Sequence, residues 1–374
     1  EVFVGGSLAK GTLVKKNIYD VDVFIRFNSS YGNDKISKLL GSVLSKKASQ
    51  VHGSRDYYQL KDQGILIEAI PVLKIKKPED AENVTDLSYF HVNYVVGKIN
   101  KDNKLVDEIR LAKAFSHAQD CYGAESYIHG FSGYALELLI CYYGSFLKFI
   151  KAVVGFDLSV KEKLIIDDAK FYKDKDDMMF GLNQSKRVGP LILIDPTFKE
   201  RNAGSSLNLD TFYKFQNACR NFLKNPSVEF FKRKDVSEEF NKFKDVNIIK
   251  VKTNKQSGDI AGTKSKKFYG FMIYKMKREF VIRKSEFDYD EDSNSAKFYF
   301  VVDKKKDEIV QGPPVIAVQN LTKFKKAHLD AFIKKDHAYV KLEHKMSFDE
   351  WFNSFVSTEK KVIKSMNIIK VRKI

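Results

Sequence analysis

From residue 17 to residue 27 the chain reads Asn-Ile-Tyr-Asp-Val-Asp-Val-Phe-Ile-Arg-Phe. A period of two makes this a β-strand, with Asp20, Asp22, Phe24 and Arg26 on one face and Val21, Val23, Ile25 and Phe27 on the other. Two carboxylates at i and i+2 on one strand face repel and raise each other's pKa values. Upstream, Val2 to Val4 forms a short apolar strand broken by Gly5-Gly6, and Ser7 follows. A glycine pair at a strand end lets backbone N–H groups approach a phosphate closely, and a serine hydroxyl adds a donor. Downstream, a third strand from residue 64 to Ile70, stopped by Pro71, carries Glu68 between Ile67 and Ala69. If these strands are neighbours, Asp20, Asp22 and Glu68 converge at one sheet edge. A divalent cation would relieve their repulsion, and an all-oxygen ligand set suits Mg2+ rather than zinc.

The chain of 374 residues is long for one core, since domains run to ~150 residues. Apolar residues make up 43% and aromatic residues 13%, enough to fill cores and exclude global disorder. The cysteines, Cys121, Cys141 and Cys219, form no CxxC pair and read as buried thiols in a reducing interior. A net charge of +17 fits a polyanion partner or a lysine-coated, solvated surface equally well. The most apolar run, Phe131 to Ile150, contains Glu137, Gly144 and Lys148, so a buried helix is expected there rather than a membrane span. No basic leader opens the chain, and a cytoplasmic protein is expected. Opening without Met inside a strand also points to a fragment, a processed form or one half of a split protein.

Periodicity divides the chain into an α/β segment over residues 1–100, a helical segment over 101–225 and a lysine-rich α+β remainder over 226–374. Lys35 to Ser49, Leu105 to Phe115 and Leu209 to Leu223 have helical spacing. In the remainder, Phe268 to Ile273, Glu279 to Arg283 and Lys297 to Val302 read as strands, and Phe324 to Phe332 as a helix. Lys264 to Lys284 holds eight Lys/Arg interleaved with Phe268, Tyr269, Phe271, Tyr274 and Phe280. Lys264, Lys266, Lys267, Lys275, Lys277 and Arg278 are therefore candidate RNA-backbone contacts, against the plainer reading of a lysine-coated hairpin.

The Gly-Ser turn followed by Asp-Val-Asp resembles the DNA polymerase beta-like nucleotidyltransferase superfamily. The stretch Lys104-Leu-Val-Asp-Glu-Ile-Arg-Leu-Ala-Lys113 is similar to the archaeal class of CCA-adding tRNA nucleotidyltransferases. So are Cys121-Tyr-Gly-Ala-Glu125, the segment 130–139, Ile194-Asp-Pro-Thr-Phe-Lys-Glu-Arg-Asn-Ala203 and Pro226-Ser-Val-Glu-Phe-Phe231. The resemblance is close from residue 5 to about 235 and loose beyond. It implies an α+β chain: a polymerase beta-like palm with a mixed sheet, a helical neck, and an α+β RNA-binding body and tail. It also implies addition of C, C and A to the tRNA 3′ end from CTP and ATP by a two-metal-ion mechanism, without a nucleic-acid template.

In that resemblance Asp20, Asp22 and Glu68 hold Mg2+. Gly6, Ser7, Lys10, Ser88, Lys113, Tyr122 and Arg201 bind the nucleotide, with Arg201 reading the base. Arg55 and His91 are secondary candidates. The body would cradle the tRNA acceptor stem and TΨC arm, and no membrane partner is expected. The family's helical segment ahead of the Gly-Ser turn is missing here, so a second polypeptide supplying it is expected as a partner, and a homodimer is compatible. Rival readings are a poly(A) polymerase or another superfamily nucleotidyltransferase, and a non-catalytic RNA-binding protein. Taken singly, Lys113 is an ordinary solvated lysine, Tyr122 and Tyr134 are core aromatics, and His91, His117 and His129 have no metal-ligand spacing. Ser132 reads as a helix cap. Glu137, inside an apolar helix, needs an internal basic partner.

Overall fold

A computed structural model of the chain describes residues 1–14, 19–157, 163–254 and 258–374. It divides into two compact units, Glu1–Lys234 and Asp235–Ile374. The first begins with β1 (Val2–Val4), α1 (Gly6–Ala9), β2 (Tyr19–Asn28), α2 (Asn33–Val43), β3 (Ser49–Val51), β4 (Tyr57–Asp62) and β5 (Ile65–Lys74). The strand read from the aspartate alternation is β2; Asn17 and Ile18 of that reading lie outside the described residues. These strands form one sheet in the order β1-β2-β5-β4-β3, with β2 and β5 parallel and the other pairs antiparallel. Pro71 does not stop β5, contrary to the sequence reading. The antiparallel neighbour β4 pairs only as far as Ala69, so on that side no ladder remains for a proline to interrupt.

Helices follow: α3 (Ser88–Ile99), α4 (Leu105–Ala118), α5 (Gly133–Tyr143) and α6 (Phe146–Gly155). The expected single helix over Phe131 to Ile150 is two helices bent by 94°. Gly144, at φ 77°, closes α5 in the left-handed conformation, and the Ser145 side chain accepts from the Lys148 N–H to start α6. Ser132 caps α5 through the Ala135 N–H, as read. Then come β6 (Leu164–Ile166), α7 (Lys175–Gly181), β7 (Leu191–Asp195), β8 (Phe198–Asn202) and α8 (Leu209–Lys224), with β6-β7-β8 forming a small mixed sheet. The main core lies between α4, α5, α6 and α8. The Phe115 ring there packs on Phe146, Phe215, Phe222, Phe230 and Phe231. Burying one such ring stabilises the fold by about 2–3 kcal/mol. Among the described residues no single helix is long and apolar enough to cross a membrane. Together α5 and α6 pass that test by length and composition, but their apolar residues fill this core.

The second unit contains α9 (Val236–Phe240), β9 (Val246–Thr253), α10 (Gly258–Met276), β10 (Phe280–Asp290), β11 (Ser295–Lys304) and β12 (Glu308–Pro314). It continues with α11 (Val318–Ala327), β13 (Phe332–Lys334), β14 (His337–Leu342), α12 (Phe348–Thr358), α13 (Lys360–Ser365) and β15 (Ile368–Lys373). An antiparallel sheet β10-β11-β9-β15 shares its core with α10 and α12, and β12-β14-β13 forms a separate sheet. Phe268 to Ile273, read as a strand, lies within α10. Its buried residues Ala261, Ser265, Phe268, Tyr269, Met272 and Met276 recur at three and four positions, so the helical stripe outweighs the strand preference of the aromatics. The lysine-coated hairpin is therefore a helix followed by a hairpin. The helix expected at Phe324 to Phe332 is placed earlier: the chain leaves α11 at His328 in an extended conformation, and Phe332 opens β13. The fold class is α+β.

Candidate active site

Register brings the acids together. On the parallel pair β2 and β5, Asp22 lies directly opposite Glu68 and Asp20 opposite Leu66. Gln59, opposite Glu68 on β4, donates to Glu68 Oε1 at 2.8 Å. Burial raises the Glu68 pKa, the Gln59 hydrogen bond opposes this, and Asp22 and Asp20 push it further up. The turn before α1 is tied to the same strand by the Gly5 N–H, which donates to the Asp22 carbonyl at 2.8 Å. Gly6 has φ +57°, and a β-carbon there would lie 1.6 Å from Asp22 Oδ2. Only glycine lets the carboxylate sit against this backbone. Among the described residues no three acidic, histidine or cysteine side chains are gathered closely enough to hold an ion by themselves. The donor chemistry nevertheless fits a hard divalent cation, which commonly takes one or two carboxylates and completes its shell with water and substrate phosphate.

Beside the acids lies a buried polar cluster. Glu137, fully buried on α5, accepts from Lys10 Nζ at 2.5 Å, Lys113 Nζ at 2.7 Å and Thr12 Oγ1 at 3.0 Å. Burial would raise the Glu137 pKa, but the two ammonium groups hold it below the usual carboxylate value. Lys113 Nζ also donates to Thr12 Oγ1 at 2.9 Å and Ser7 Oγ at 3.0 Å. Tyr122 stacks on His117 with ring centres 5.2 Å apart, and Gly133 leaves room for its hydroxyl. Burial raises its pKa, and Glu137, Glu125, Asp20 and Asp22 add to the rise.

A second hub is built on Asp195, which ends β7 with no exposed surface. Its Oδ1 accepts from Tyr134 at 3.0 Å and from the Thr197 hydroxyl at 2.7 Å, and its Oδ2 accepts from Arg201 Nη1 at 2.6 Å. His91 Nε2 lies 2.9 Å from the same Oδ2, close enough for an ion pair but too poorly aligned for a hydrogen bond. The His91 ring stacks on Tyr134 at 4.2 Å, and Arg201 lies 5.4 Å above that ring's centre. Burial lowers the His91 pKa, which Asp195 only partly counters. Burial would raise Asp195, yet His91 and Arg201 keep it far below the usual carboxylate range. Lys10 lies 5.9 Å from the Tyr134 ring centre, so the two clusters adjoin.

Known proteins are similar to this chain in sequence. The family described as tRNA nucleotidyltransferase, second domain, matches residues 107–232. The CCA-adding enzyme of Nanoarchaeum equitans is 39% identical over 57% of this chain, and that of Archaeoglobus fulgidus is 31% identical over 62%. The chain spans about half the length of both, 52% and 49%. The CCA-adding enzyme of Methanocaldococcus jannaschii is 30% identical over 93% of this chain and 79% of its own length. The chain belongs to the CCA-adding enzyme family.

Within this CCA-adding enzyme family member, Gly6, Ser7, Lys10, Asp20, Asp22, Glu68, Lys113 and Tyr122 gather in one region, and His91 and Arg201 lie in the adjoining hub. Ser88, the first residue of α3, is half-buried one helical turn before His91 and so shares its face. Arg55 does not join them. Its guanidinium is buried and pairs with Asp86 at 2.5 and 3.1 Å, and it also donates to Asn33, the Pro71 carbonyl and Thr85. With its donors spent inside the fold, Arg55 ties the loop before β4 to the start of α2, to β5 and to the turn over 84–87. In the second unit Lys266, Lys267, Lys277 and Arg278 are exposed, whereas Lys264 and Lys275 are half-buried. Lys275 pairs with Glu359 at 2.6 Å. The residues that sequence reasoning left out of the site are Thr12, Glu137 and Asp195. Glu137 carried a signal, a carboxylate in an apolar helix. Asp195 carried a weaker one at the end of Leu-Ile-Leu-Ile, and Thr12 carried none.

Proposed function

We propose that the chain adds C, C and A to the 3′ end of tRNA from CTP and ATP, with no nucleic-acid template. The observation that carries this is the Asp20, Asp22 and Glu68 set on two paired strands beside the Gly6-Ser7 turn, in a chain of this family. Nucleotidyl transfer is an attack of the tRNA 3′ oxygen on the α-phosphate with pyrophosphate leaving, so the protein's task is positioning and charge neutralisation. Asp20, Asp22 and Glu68 would hold Mg2+, which when bound stabilises the entering and leaving oxygens. Ser7 and Lys10 face the triphosphate in this reading, Ser88 the sugar, and Tyr122 flanks the phosphates. Arg201, anchored by Asp195 and set over Tyr134, presents a planar fork suited to a base edge. His91 stacks on the same Tyr134 ring beside Asp195, and burial lowers its pKa.

The exposed basic face of α10 in the second unit would grip the acceptor stem and TΨC arm by backbone charge. A cytoplasmic location goes with this substrate. The test is incubation with tRNA lacking its CCA end and each labelled nucleotide. Addition of two C and one A, then arrest, is expected. Long A tails would assign a poly(A) polymerase instead, and no CTP incorporation overturns the reading. Mass analysis of the protein purified from its native source shows whether a companion chain or a second copy takes part.

A further inference from the structure

Glu68 differs from its two companions. Asp20 and Asp22 carry their carboxylates on one methylene each, whereas Glu68 has a second methylene and one more rotatable torsion. A longer arm reaches further but loses more rotamer freedom when it is held in one place. Asp22 stands directly opposite Glu68 on β2, and the like charge on that side drives the longer carboxylate away. Something on the other flank has to hold it.

Gln59 lies on that flank. Register sets Asp22, Glu68 and Gln59 opposite one another on β2, β5 and β4, so their side chains form one row on one face of the sheet. The Gln59 amide donates from Nε2 to Glu68 Oε1 at 2.8 Å, the length of a charge-assisted hydrogen bond. The half-buried Gln59 is itself fixed from behind, because Ser49 pairs with it on β3 and donates its hydroxyl to the Gln59 carbonyl at 3.3 Å. The chemistry of the donor matters. Glu137, Asp86 and Asp195 are held by lysine or arginine, which cancels their charge and makes them structural ties. Glu68 is held by a neutral amide, which fixes one oxygen and leaves the negative charge for a ligand.

We propose that Gln59 is the positioning residue of the Glu68 carboxylate, keeping it in the row with Asp22 so that a divalent cation is received without rearrangement. This rests on the function proposed above. Gln59 acts through Glu68 and not on the nucleotide.

The test is titration of the full chain with Mn2+, standing in for Mg2+, with free Mn2+ read by electron paramagnetic resonance. Gln59→Met keeps the length of the side chain and removes the donor. Gln59→Asn keeps an amide but leaves it one methylene short of Glu68. Each is expected to weaken Mn2+ binding about 10–100-fold, as when a hydrogen bond to a ligating carboxylate is removed. In turnover the Mg2+ concentration for half-maximal CTP addition rises by the same factor, while kcat returns at saturating Mg2+, a recovery that a misfolded chain does not show. Glu68→Asp draws the carboxylate out of reach, so in that background Gln59→Met adds no further loss. Variants that bind Mn2+ like the parent, a kcat that Mg2+ does not restore, or losses that multiply in the Glu68→Asp background overturn the inference. Gln59-dependent Mn2+ binding in a chain that adds no C to tRNA overturns the proposed function alone, and a parent that binds no Mn2+ overturns both.

Discussion

In the first unit the cations that the sequence singles out are fixed to buried carboxylates: Lys10 and Lys113 to Glu137, Arg55 to Asp86, and Arg201 to Asp195. In the second unit Lys275 pairs with the half-buried Glu359, and four others lie on aromatic rings or in solvent. Lys266 sits over Phe287 and Tyr269, Arg278 over Tyr274, and Lys267 and Lys277 are exposed. The same residue types enter the net charge of +17, yet their settings differ. A buried pair costs desolvation and holds geometry, which suits a small ligand placed to a fraction of an ångström. An exposed cation has low cost and long reach and is screened by salt, which suits a long polyanion read by its shape.

Four measurements press on this contrast. The largest effect belongs to Asp22→Ala, expected to lower turnover by about three orders of magnitude or more, as when charge stabilisation of the transition state is lost. Filter binding should show tRNA affinity unchanged; a parallel loss of both would tie chemistry and RNA grip to one region and end the division. Next, Asp195→Asn leaves Arg201 and His91 without their shared anion. Removing one partner of such a buried network costs about 3–5 kcal/mol, to be read from urea denaturation. A cost no larger than that of a surface substitution would mean that the hub is not fixed.

Smaller is the effect of Glu68→Gln. The Glu68 carboxyl is held above its ordinary 4.5 by burial and by Asp22 and Asp20. Above pH 4.5 the folded chain therefore binds a proton that the unfolded chain has released, and this group's contribution to stability falls as pH rises through the folded value. The variant lacks that loss, so its Tm should exceed the parent's increasingly from acid to neutral pH by scanning calorimetry, while activity is lost. A Tm gap independent of pH would contradict the burial of this carboxylate. Least visible in stability is the joint change of Lys266, Lys267, Lys277 and Arg278 to Ala, expected within about 0.5 kcal/mol per site. Its mark lies in salt titration of tRNA binding, where the log–log slope should shrink by about one for each cation that contacts phosphate. An unchanged slope returns these residues to a solvated surface.

Much of the first unit was legible because its signals are local. The aspartate alternation predicts β2, Ser132 predicts the start of α5, and the apolar setting of Glu137 predicts a basic partner. What stayed hidden depends on distant chain. No pattern in sequence says that the partners of Glu137 are Lys10 and Lys113, or that Arg55 finds Asp86 and Asn33. Pro71 misled because its effect depends on where β4 ends. In the second unit the aromatics of α10 favour strands by type but occupy helical spacing, and spacing governs which face is buried. The bend at Gly144 was hidden because Gly144-Ser145 lies inside an otherwise apolar run, and such a pair marks a helix end and a cap only once the chain is seen to turn.

The Glu137 cluster also bears on how the molecule folds. Lys10 and Glu137 are separated by 127 positions, and Lys113 and Ser7 by 106. Contacts of such separation form only after a large loop closes, so they slow folding and come together late on the pathway. Until they do, Glu137 sits in an otherwise apolar helix without compensation, and α5 has reason to stay loose. The sheet carrying the acids and the helices behind it are therefore expected to lock in one cooperative step, so that the geometry of the proposed nucleotide site is acquired only when the whole first unit is closed.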